Sequence, residues 1–170
     1  MRALLVDEYP PASLLARYRE RGAWTDCYVV RLERSVSLAE FVTAFYTTPL
    51  FRLERFVLRW LVSRPSTDEQ VRQLALGQGD HFAAWQVEAR AERQVLLVDL
   101  TGATRSWLMA ESSDDAQQGG SSLYFGSAIL KQATARDAEA KLAPGFRLLL
   151  PLHRIYSKAL LWSARRRLDA

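Results

Sequence analysis

Cysteine, histidine and methionine are all scarce in this sequence, which holds one Cys, two His and two Met among 170 residues. The lone cysteine, Cys27, can form no disulfide within the chain and cannot build a cysteine-based metal site. The two histidines show neither H-x-H nor H-E-x-x-H spacing, so no imidazole-based metal site is predicted. Cys27 lies in the apolar stretch from Trp24 to Leu32, which predicts a buried small hydrophobe rather than a nucleophile.

Long apolar runs are absent as well. No stretch reaches the roughly 18 uncharged apolar residues of a transmembrane helix. Asp7 and Glu8 interrupt the N-terminal apolar run, so no signal peptide is expected and a cytoplasmic location is predicted. A hydrophobic fraction of 49% excludes general disorder. The length of 170 residues fits one domain, residues 1–170, with an N-terminal arm over about residues 1–22.

Helix signals occur on both sides of the first predicted strand. The stretch from Trp24 to Leu32 is rich in Tyr and Val and predicts a strand. Ser37 and Glu40 form a capping-box pattern that opens a helix ending near Tyr46. Three further helices are predicted: a short one over Ser13–Glu20, one that starts at Thr48-Pro49 and has apolar residues recurring to Leu61, and one over Thr67–Leu76 that Gly77 ends.

After Gly77 the apolar period changes from that of a helix to that of a strand. Four strand-length segments follow at short separations: His81–Ala89, Gln94–Thr101, Thr104–Glu111 and Ser122–Lys131. Short connections favour antiparallel pairing, because parallel strands need long crossovers. A long helix is predicted from about Pro144 to Arg167. The fold class is therefore predicted to be α+β: a curved antiparallel sheet wrapped around a long C-terminal helix, with a helical insert after the first strand.

Positive charge is concentrated near the C-terminus. Residues 141–170 hold seven Lys or Arg and one acid, Asp169, whereas the other 140 residues carry a net charge of −2. On a helical wheel, a basic stripe is formed by Arg147, Arg154, Lys158 and Arg165. The opposite side is apolar and consists of Leu149, Leu152, Tyr156 and Leu160. It is flanked by Leu148, Ile155, Ala159 and Trp162. The apolar side is expected to lie on the sheet. The basic stripe has two interpretations, a solvent-exposed face or a contact surface for an anionic membrane, where contact would be weak, or for an acidic partner. Nucleic-acid binding is not expected, since the basic residues do not cover a whole face.

Two stretches carry a family resemblance. Gly77–Val87 (GQGDHFAAWQV) places a glycine and an aspartate at the start of the sheet, and Pro144–Arg154 (PGFRLLLPLHR) combines a glycine, a hydrophobic run and Pro-x-His-Arg. With the order of elements, they resemble the START-like helix-grip (SRPBCC) superfamily, in particular an uncharacterised bacterial branch. The resemblance spans about Trp24 to Arg167. It implies a cavity between sheet and last helix but no particular ligand, since members bind lipids, sterols, polyketides or hormones and some are cyclases.

Recognisable catalytic motifs are missing from the sequence. No serine lies in a G-x-S-x-G elbow, and Gly77-Gln78-Gly79 lacks both the third glycine of a dinucleotide site and the lysine of a P-loop. Gly126 lies in a predicted strand, where it indicates a bulge or bend. No catalytic residue, metal or cofactor is therefore predicted.

Eight residues are candidate contacts for a ligand. Asp99 is expected to approach Arg105 across the turn at Gly102, where the two form a surface ion pair or fix a polar ligand group. His153 either faces the cavity or hydrogen-bonds the sheet, and aromatic side chains suit an apolar or ring-bearing ligand. The candidates are His81, Trp85, Asp99, Arg105, Trp107, Tyr124, His153 and Tyr156.

Three classes of function remain open at this point. The leading prediction is a protein that binds a hydrophobic small molecule between the sheet and the last helix. The first alternative is an enzyme of the same fold, a cyclase or hydrolase in which His81, Arg105 or Tyr124 handles a proton or acts as an electrophile. The second is an interaction protein that docks through the basic stripe or through the helix over Phe51–Trp60. The sequence leaves the oligomeric state open.

Overall fold

The computed structural model describes residues 4–5, 9–10, 12–51, 67–112, 119–130 and 144–170. The chain is an α+β protein with an antiparallel sheet and a long C-terminal helix. The strands are β1 (Leu4–Leu5), β2 (Trp24–Leu32), β3 (His81–Phe82), β4 (Trp85–Ala91), β5 (Gln94–Asp99), β6 (Thr104–Ser112) and β7 (Ser121–Ile129). The helices within these ranges are α1 (Ala16–Glu20), α2 (Leu38–Tyr46), α3 (Asp68–Leu76) and α4 (Pro144–Asp169).

The sheet has the strand order β1-β2-β7-β6-β5-β4-β3, and every neighbouring pair is antiparallel. Strands β3 to β7 follow one another along the chain, which confirms the predicted antiparallel meander. The first long strand, β2, pairs over its whole length with the last strand, β7. This pairing brings together residues 101 positions apart, such as Asp26 and Ser127.

Side chains of the sheet alternate between a helix-facing side and an outer side. On the helix-facing side, Tyr28, Leu108 and Phe125 belong to the main core, which the helices after β2 complete. On the outer side, Trp107 packs with Leu15 and other N-terminal residues in a second, smaller core. Residues 12–20, which belong to the predicted N-terminal arm, therefore cover part of the outer side.

Local sequence signals correspond closely to the observed elements. Strand β2 has the predicted bounds. Helix α2 begins with the predicted capping box, in which the Ser37 hydroxyl accepts from the Glu40 amide and the Glu40 carboxylate accepts from the Ser37 amide. Helix α3 is capped in the same way by Thr67 and Gln70, and it ends at Gly77, which adopts the left-handed conformation that glycine tolerates best.

Two expectations about the strands are wrong. The strand predicted over His81–Ala89 is a tight hairpin, because the chain turns at residues 83–84, where Ala83 has a φ of 53°, and separates β3 from β4. The bulge expected at Gly126 is absent, since the registers of β7 with both neighbours run without a shift through this residue. Glycine is required there for another reason: a Cβ atom would lie 2.5 Å from Leu15 Cδ2.

Helix α4 packs chiefly against α2 and β2. Its buried side is formed by Ser157, Leu160, Leu161 and Ala164. Leu152, Ile155 and Trp162 were expected on or beside the apolar side that lies on the sheet, yet they are 64%, 66% and 43% exposed. The expectation is wrong for these three residues, because the apolar arc of the helix is wider than the surface that α2 and β2 cover.

Some predictions fall outside the described residues. The helix predicted from Thr48-Pro49 is described only as far as Phe51, and the predicted loops over residues 112–121 and 133–141 lie largely outside. Within the described ranges, no helix has the length and hydropathy that a bilayer crossing would require.

Candidate functional site

A polar row crosses the helix-facing side of the sheet. Asp26 of β2 pairs with Ser127 of β7, which in turn pairs with Ser106 of β6, and all three residues are buried. The next row on the same side, Tyr28, Phe125 and Leu108, belongs to the main core. A buried carboxylate in such surroundings needs hydrogen-bond partners, because its desolvation is otherwise very costly.

Three elements supply partners to Asp26, whose side chain is only 3% exposed. The Tyr28 hydroxyl donates to Oδ2 at 3.0 Å, and the Ser127 amide donates to Oδ1 at 3.2 Å. Nε2 of His153, on α4, lies 3.3 Å from Oδ2. The carboxylate thus connects the neighbouring strands β2 and β7 to the C-terminal helix. We call Trp24, Asp26, Tyr28, Ser127, His153 and Ser157 the Asp26 site.

The tyrosine of this site remains a donor over the physiological pH range. Burial, together with the charge of Asp26 and the hydrogen bond to it, raises the pKa of the Tyr28 hydroxyl above its usual value. Lys158 Nζ lies 5.7 Å from the centroid of the Tyr28 ring. A cation therefore stands over the ring whose hydroxyl donates to the buried carboxylate.

The geometry around His153 does not form a hydrolytic triad. Ser157 Oγ lies 3.4 Å from His153 Nε2, the same nitrogen that faces Asp26. A triad needs the acid and the nucleophile on opposite nitrogens of the ring, so that one orients the imidazole while the other gives up its proton. Ser157 is also buried, one helical turn after His153. The arrangement orients the histidine rather than activating a serine.

Burial changes along α4 and defines where the site meets solvent. Leu160, Leu161 and Ala164, in the second half of the helix, are fully covered. In the first half, the His153 side chain is 24% exposed and Tyr156 is half-buried. The Trp24 ring stands edge-on to His153, with centroids 5.6 Å apart. Trp24 and His153 therefore form the solvent-accessible rim of the Asp26 site, whereas Asp26, Tyr28, Ser127 and Ser157 are buried.

Helix α2 occupies the middle of the helix-facing side. The Phe45 and Phe125 rings lie 4.7 Å apart, and the Tyr46 and Ser106 hydroxyl oxygens lie 3.1 Å apart. Phe51 stacks on Phe82 with ring centroids 6.0 Å apart. The helical insert thus fills the centre of the space over the sheet with aromatic side chains. Any room for a ligand on this side of the sheet therefore lies beside β2 and α4.

The structure places the eight predicted ligand contacts in four different regions. His153 belongs to the Asp26 site, and Tyr156, three residues after it on α4, packs against the main core. Trp85 and Asp99 are a cross-strand pair on the helix-facing side of β4 and β5, away from β2. Arg105, Trp107 and Tyr124 are on the outer side, and His81 is exposed in edge strand β3. The proton-handling trio of the enzyme hypothesis, His81, Arg105 and Tyr124, does not converge on one pocket.

Asp99 and Arg105 do not form the expected pair, because Val98 rather than Asp99 is the partner of Arg105 in the β5–β6 register. The two charged side chains consequently point to opposite sides of the sheet. Asp99 organises the turn, accepting hydrogen bonds from the Thr101 hydroxyl at 2.6 Å and the Thr104 amide at 3.0 Å.

Arg105 belongs to an ionic cluster that fastens α1 to the outer side of the sheet. Its Nε donates to Glu88 at 2.8 Å and to the Tyr18 hydroxyl at 3.0 Å. Arg17 and Tyr18 contact the other carboxylate oxygen of Glu88. Trp107, in the same layer, donates from Nε1 to the Gln94 side chain at 2.9 Å. These partners give both residues a structural role.

Five residues of the Asp26 site were not predicted from the sequence: Trp24, Asp26, Tyr28, Ser127 and Ser157. A usable signal was present, because Trp24, Asp26, Tyr28, Val30 and Leu32 alternate along one strand and hence share one side of it. A carboxylate at an inward position of such a strand marks either a partnered network or a ligand site. No local signal identified the partners that come from β7 and α4.

A separate groove of about 420 Å³ lies between α2, α3 and the end of α4. Ala39, Thr43, Ala75 and Leu168 are among its lining residues, and it is distinct from the Asp26 site. Among the described residues, no group of three or more His, Cys, Asp or Glu side chains is placed to hold a metal ion.

Comparison with models of protein families, with curated proteins and with solved structures finds no match to this chain.

Proposed function

We propose that the protein binds a small, largely apolar or aromatic molecule between the sheet and the first half of α4, beside the Asp26 site. The observation that best supports this proposal is the environment of His153. Its Nε2 is held 3.3 Å from a buried carboxylate, while 24% of its side chain remains exposed. An oriented, partly accessible imidazole at the opening of a helix–sheet interface is typical of a group that fixes a ligand.

The wall of the proposed site indicates the class of ligand. Trp24, His153 and Tyr156 are half-buried rings, which offer flat apolar surfaces to a ring-bearing or hydrocarbon ligand. Because Asp26 and Ser157 both lie at Nε2, a hydrogen bond from the ligand would go to Nδ1 of His153. The proposed ligand is therefore mostly apolar, with one polar atom near the histidine.

The helix-grip assignment is part of the same proposal. It is supported by an antiparallel sheet in which the first long strand joins the last, and by a C-terminal helix on the helix-facing side. The helical insert is a difference from a minimal helix-grip protein. It fills the centre of the helix-facing side, so the proposed cavity is smaller and lies beside β2. A cytoplasmic location also belongs to the proposal and is supported by the single, buried cysteine.

Native mass spectrometry of the purified protein tests the proposal directly, because a co-purified small molecule would appear as a mass increment. In parallel, the neutral dye Nile red serves as a defined apolar probe whose fluorescence reports occupancy. We expect saturable binding, and we expect His153→Ala to weaken it about tenfold, the loss of about 1.4 kcal/mol.

The matched control is His81→Ala, which removes the same side chain from an exposed position on an edge strand. It should bind Nile red as the wild type does. Equal weakening by both substitutions, or the absence of both a co-purified molecule and saturable dye binding, would contradict the proposal. Circular dichroism of each variant verifies that the fold is retained.

A further inference from the structure

The outward side of α4 carries large apolar residues in a line. Leu152, Ile155 and Trp162 are spaced by three and seven residues, which places them on one face of a helix. This face lies opposite the buried side made by Ser157, Leu161 and Ala164. The three side chains are 64%, 66% and 43% exposed. We call Leu152, Ile155 and Trp162 the α4 outer stripe.

Basic side chains border the α4 outer stripe. Lys158 lies three residues after Ile155 and four before Trp162, Arg166 lies four residues after Trp162, and both basic residues are exposed. The Arg166 guanidinium lies 4.8 Å from the centroid of the Trp162 ring, so cation and indole present one combined surface. The only acid in α4, Asp169, lies 3.3 Å from Arg165, at the far end of the helix. The surface is therefore apolar and cationic, with no acid of α4 beside the stripe itself.

We infer that the α4 outer stripe docks on the interfacial region of a lipid bilayer that contains anionic lipids. Exposed Leu, Ile and Trp gain free energy by entering the headgroup and acyl boundary, where tryptophan is particularly favoured. The bordering Arg and Lys side chains reach the anionic headgroups while their aliphatic parts cover the apolar residues. Charge complementarity thus selects an anionic surface, and the apolar row selects a membrane.

The shape of the surface agrees with a planar partner. Residues 152–166 lie in one uninterrupted helix, so the apolar and basic side chains extend along about 20 Å of its axis. A nucleic acid would use the cations but would gain nothing from Leu152 and Ile155, because its surface is phosphate and base edge. The proposal does not depend on a ligand at the Asp26 site, since the stripe and the site lie on different sides of α4.

Sedimentation with lipid vesicles tests the inference, using full-length protein at low salt. The vesicles contain phosphatidylcholine with about 30% phosphatidylserine, or phosphatidylcholine alone. We expect clear partitioning onto the anionic vesicles, at least about tenfold stronger than onto the neutral ones, and weakening as salt is raised.

Two sets of substitutions separate the apolar from the electrostatic part. Leu152→Ser with Ile155→Ser should weaken partitioning about tenfold or more. Arg166→Glu should weaken it clearly more than Arg93→Glu, which makes the same change in net charge. The controls are Leu100→Ser and Arg93→Glu, which remove an exposed leucine and an exposed arginine from the turns of the meander. Neither control should change partitioning beyond what the altered net charge causes for Arg93.

Thermal unfolding of each variant guards against misfolding, and Ile155→Ser alone replaces the apolar pair if the double variant is unstable. Binding that fails on anionic vesicles, or that the leucine and isoleucine substitutions leave unchanged, overturns the inference. The inference is also overturned if the protein binds a single-stranded oligonucleotide more tightly than vesicles and the same apolar substitutions leave that binding unchanged. That result would assign the surface to nucleic acid.

Discussion

Replacing Gly126 with alanine tests whether the outer core depends on a close approach between β7 and the N-terminal segment. Gly126 lies between Cys27 of β2 and Trp107 of β6. An added Cβ atom would lie 2.5 Å from Leu15 Cδ2, 2.8 Å from the Asp26 carbonyl oxygen and 3.2 Å from Trp107 Cε3. Distances below 3.0 Å essentially never occur for a real Cβ atom, so the surroundings have to move.

The expected cost follows from what has to move. Leu15 and Trp107 are fully buried, and the Asp26 carbonyl belongs to the backbone of β2, so none of them shifts freely. Overpacking of a dense core costs about 1–3 kcal/mol. Alanine recovers about 0.5–1 kcal/mol, because glycine loses more backbone entropy on folding. We expect Gly126→Ala to lower the free energy of unfolding by about 1–2 kcal/mol.

Urea unfolding followed by circular dichroism measures this difference. The matched control is Gly119→Ala, an exposed glycine with no atom within 4 Å of the added Cβ and no left-handed backbone conformation. It should stay within about 0.5 kcal/mol of the wild type.

A double-mutant cycle identifies the clashing partner. Leu15→Ala alone should cost about 2–5 kcal/mol, as expected for a fully buried leucine. The double variant should be more stable than the sum of the two single effects predicts, by about 0.5 kcal/mol or more, because the new methyl group enters the space that Leu15 vacates. A Gly126→Ala protein as stable as the wild type, or strictly additive effects, would refute the reasoning.

Two further predictions concern ionisable groups. Burial alone raises the pKa of Glu88, but the hydrogen bond from Tyr18 and the charges of Arg105 and Arg17 outweigh it and hold that pKa below its usual value of 4.5. The charged form therefore stabilises the folded state above pH 4.5, and this contribution is lost as the pH falls through the lowered pKa. Glu88→Gln should be less stable than the wild type at neutral pH, with a deficit that shrinks in acid, and a deficit independent of pH in urea titrations would contradict this. Burial, with the charge of Asp26, raises the pKa of Cys27 to about 12. Ellman's reagent should therefore react with Cys27 only when the chain unfolds. Rapid reaction in native buffer would contradict this and show that the outer core is open.

Several features could be predicted from the sequence because their causes are local. The capping residues Ser37 and Thr67 act on amides three residues away, and the bounds of β2 follow from a compact run of Tyr, Val and apolar residues. The short connections between β4, β5 and β6 similarly dictate antiparallel pairing. Each of these signals is contained within a few neighbouring residues.

The candidate site could be predicted only in part. His153 and Tyr156 were among the predicted contacts, whereas Asp26 was not, although its inward position in β2 was visible from alternation. Its partner Ser127 could not be predicted, because their contact depends on the register between two strands, and the two residues lie 101 positions apart in the sequence. The register between β5 and β6 also differs by one residue from the expected one, and it places the Asp99 and Arg105 side chains on opposite sides of the sheet.

By itself, the sequence determined an α+β chain with an antiparallel meander, capped helices and a long basic C-terminal helix. The tertiary structure alone decided which part of that helix is buried. The apolar residues of α4 cover a wider arc than one contact surface, so several rotations about the helix axis satisfy the pattern almost equally. Packing against α2 and β2 selects one of them, which buries Leu160, Leu161 and Ala164 and turns Leu152, Ile155 and Trp162 outward.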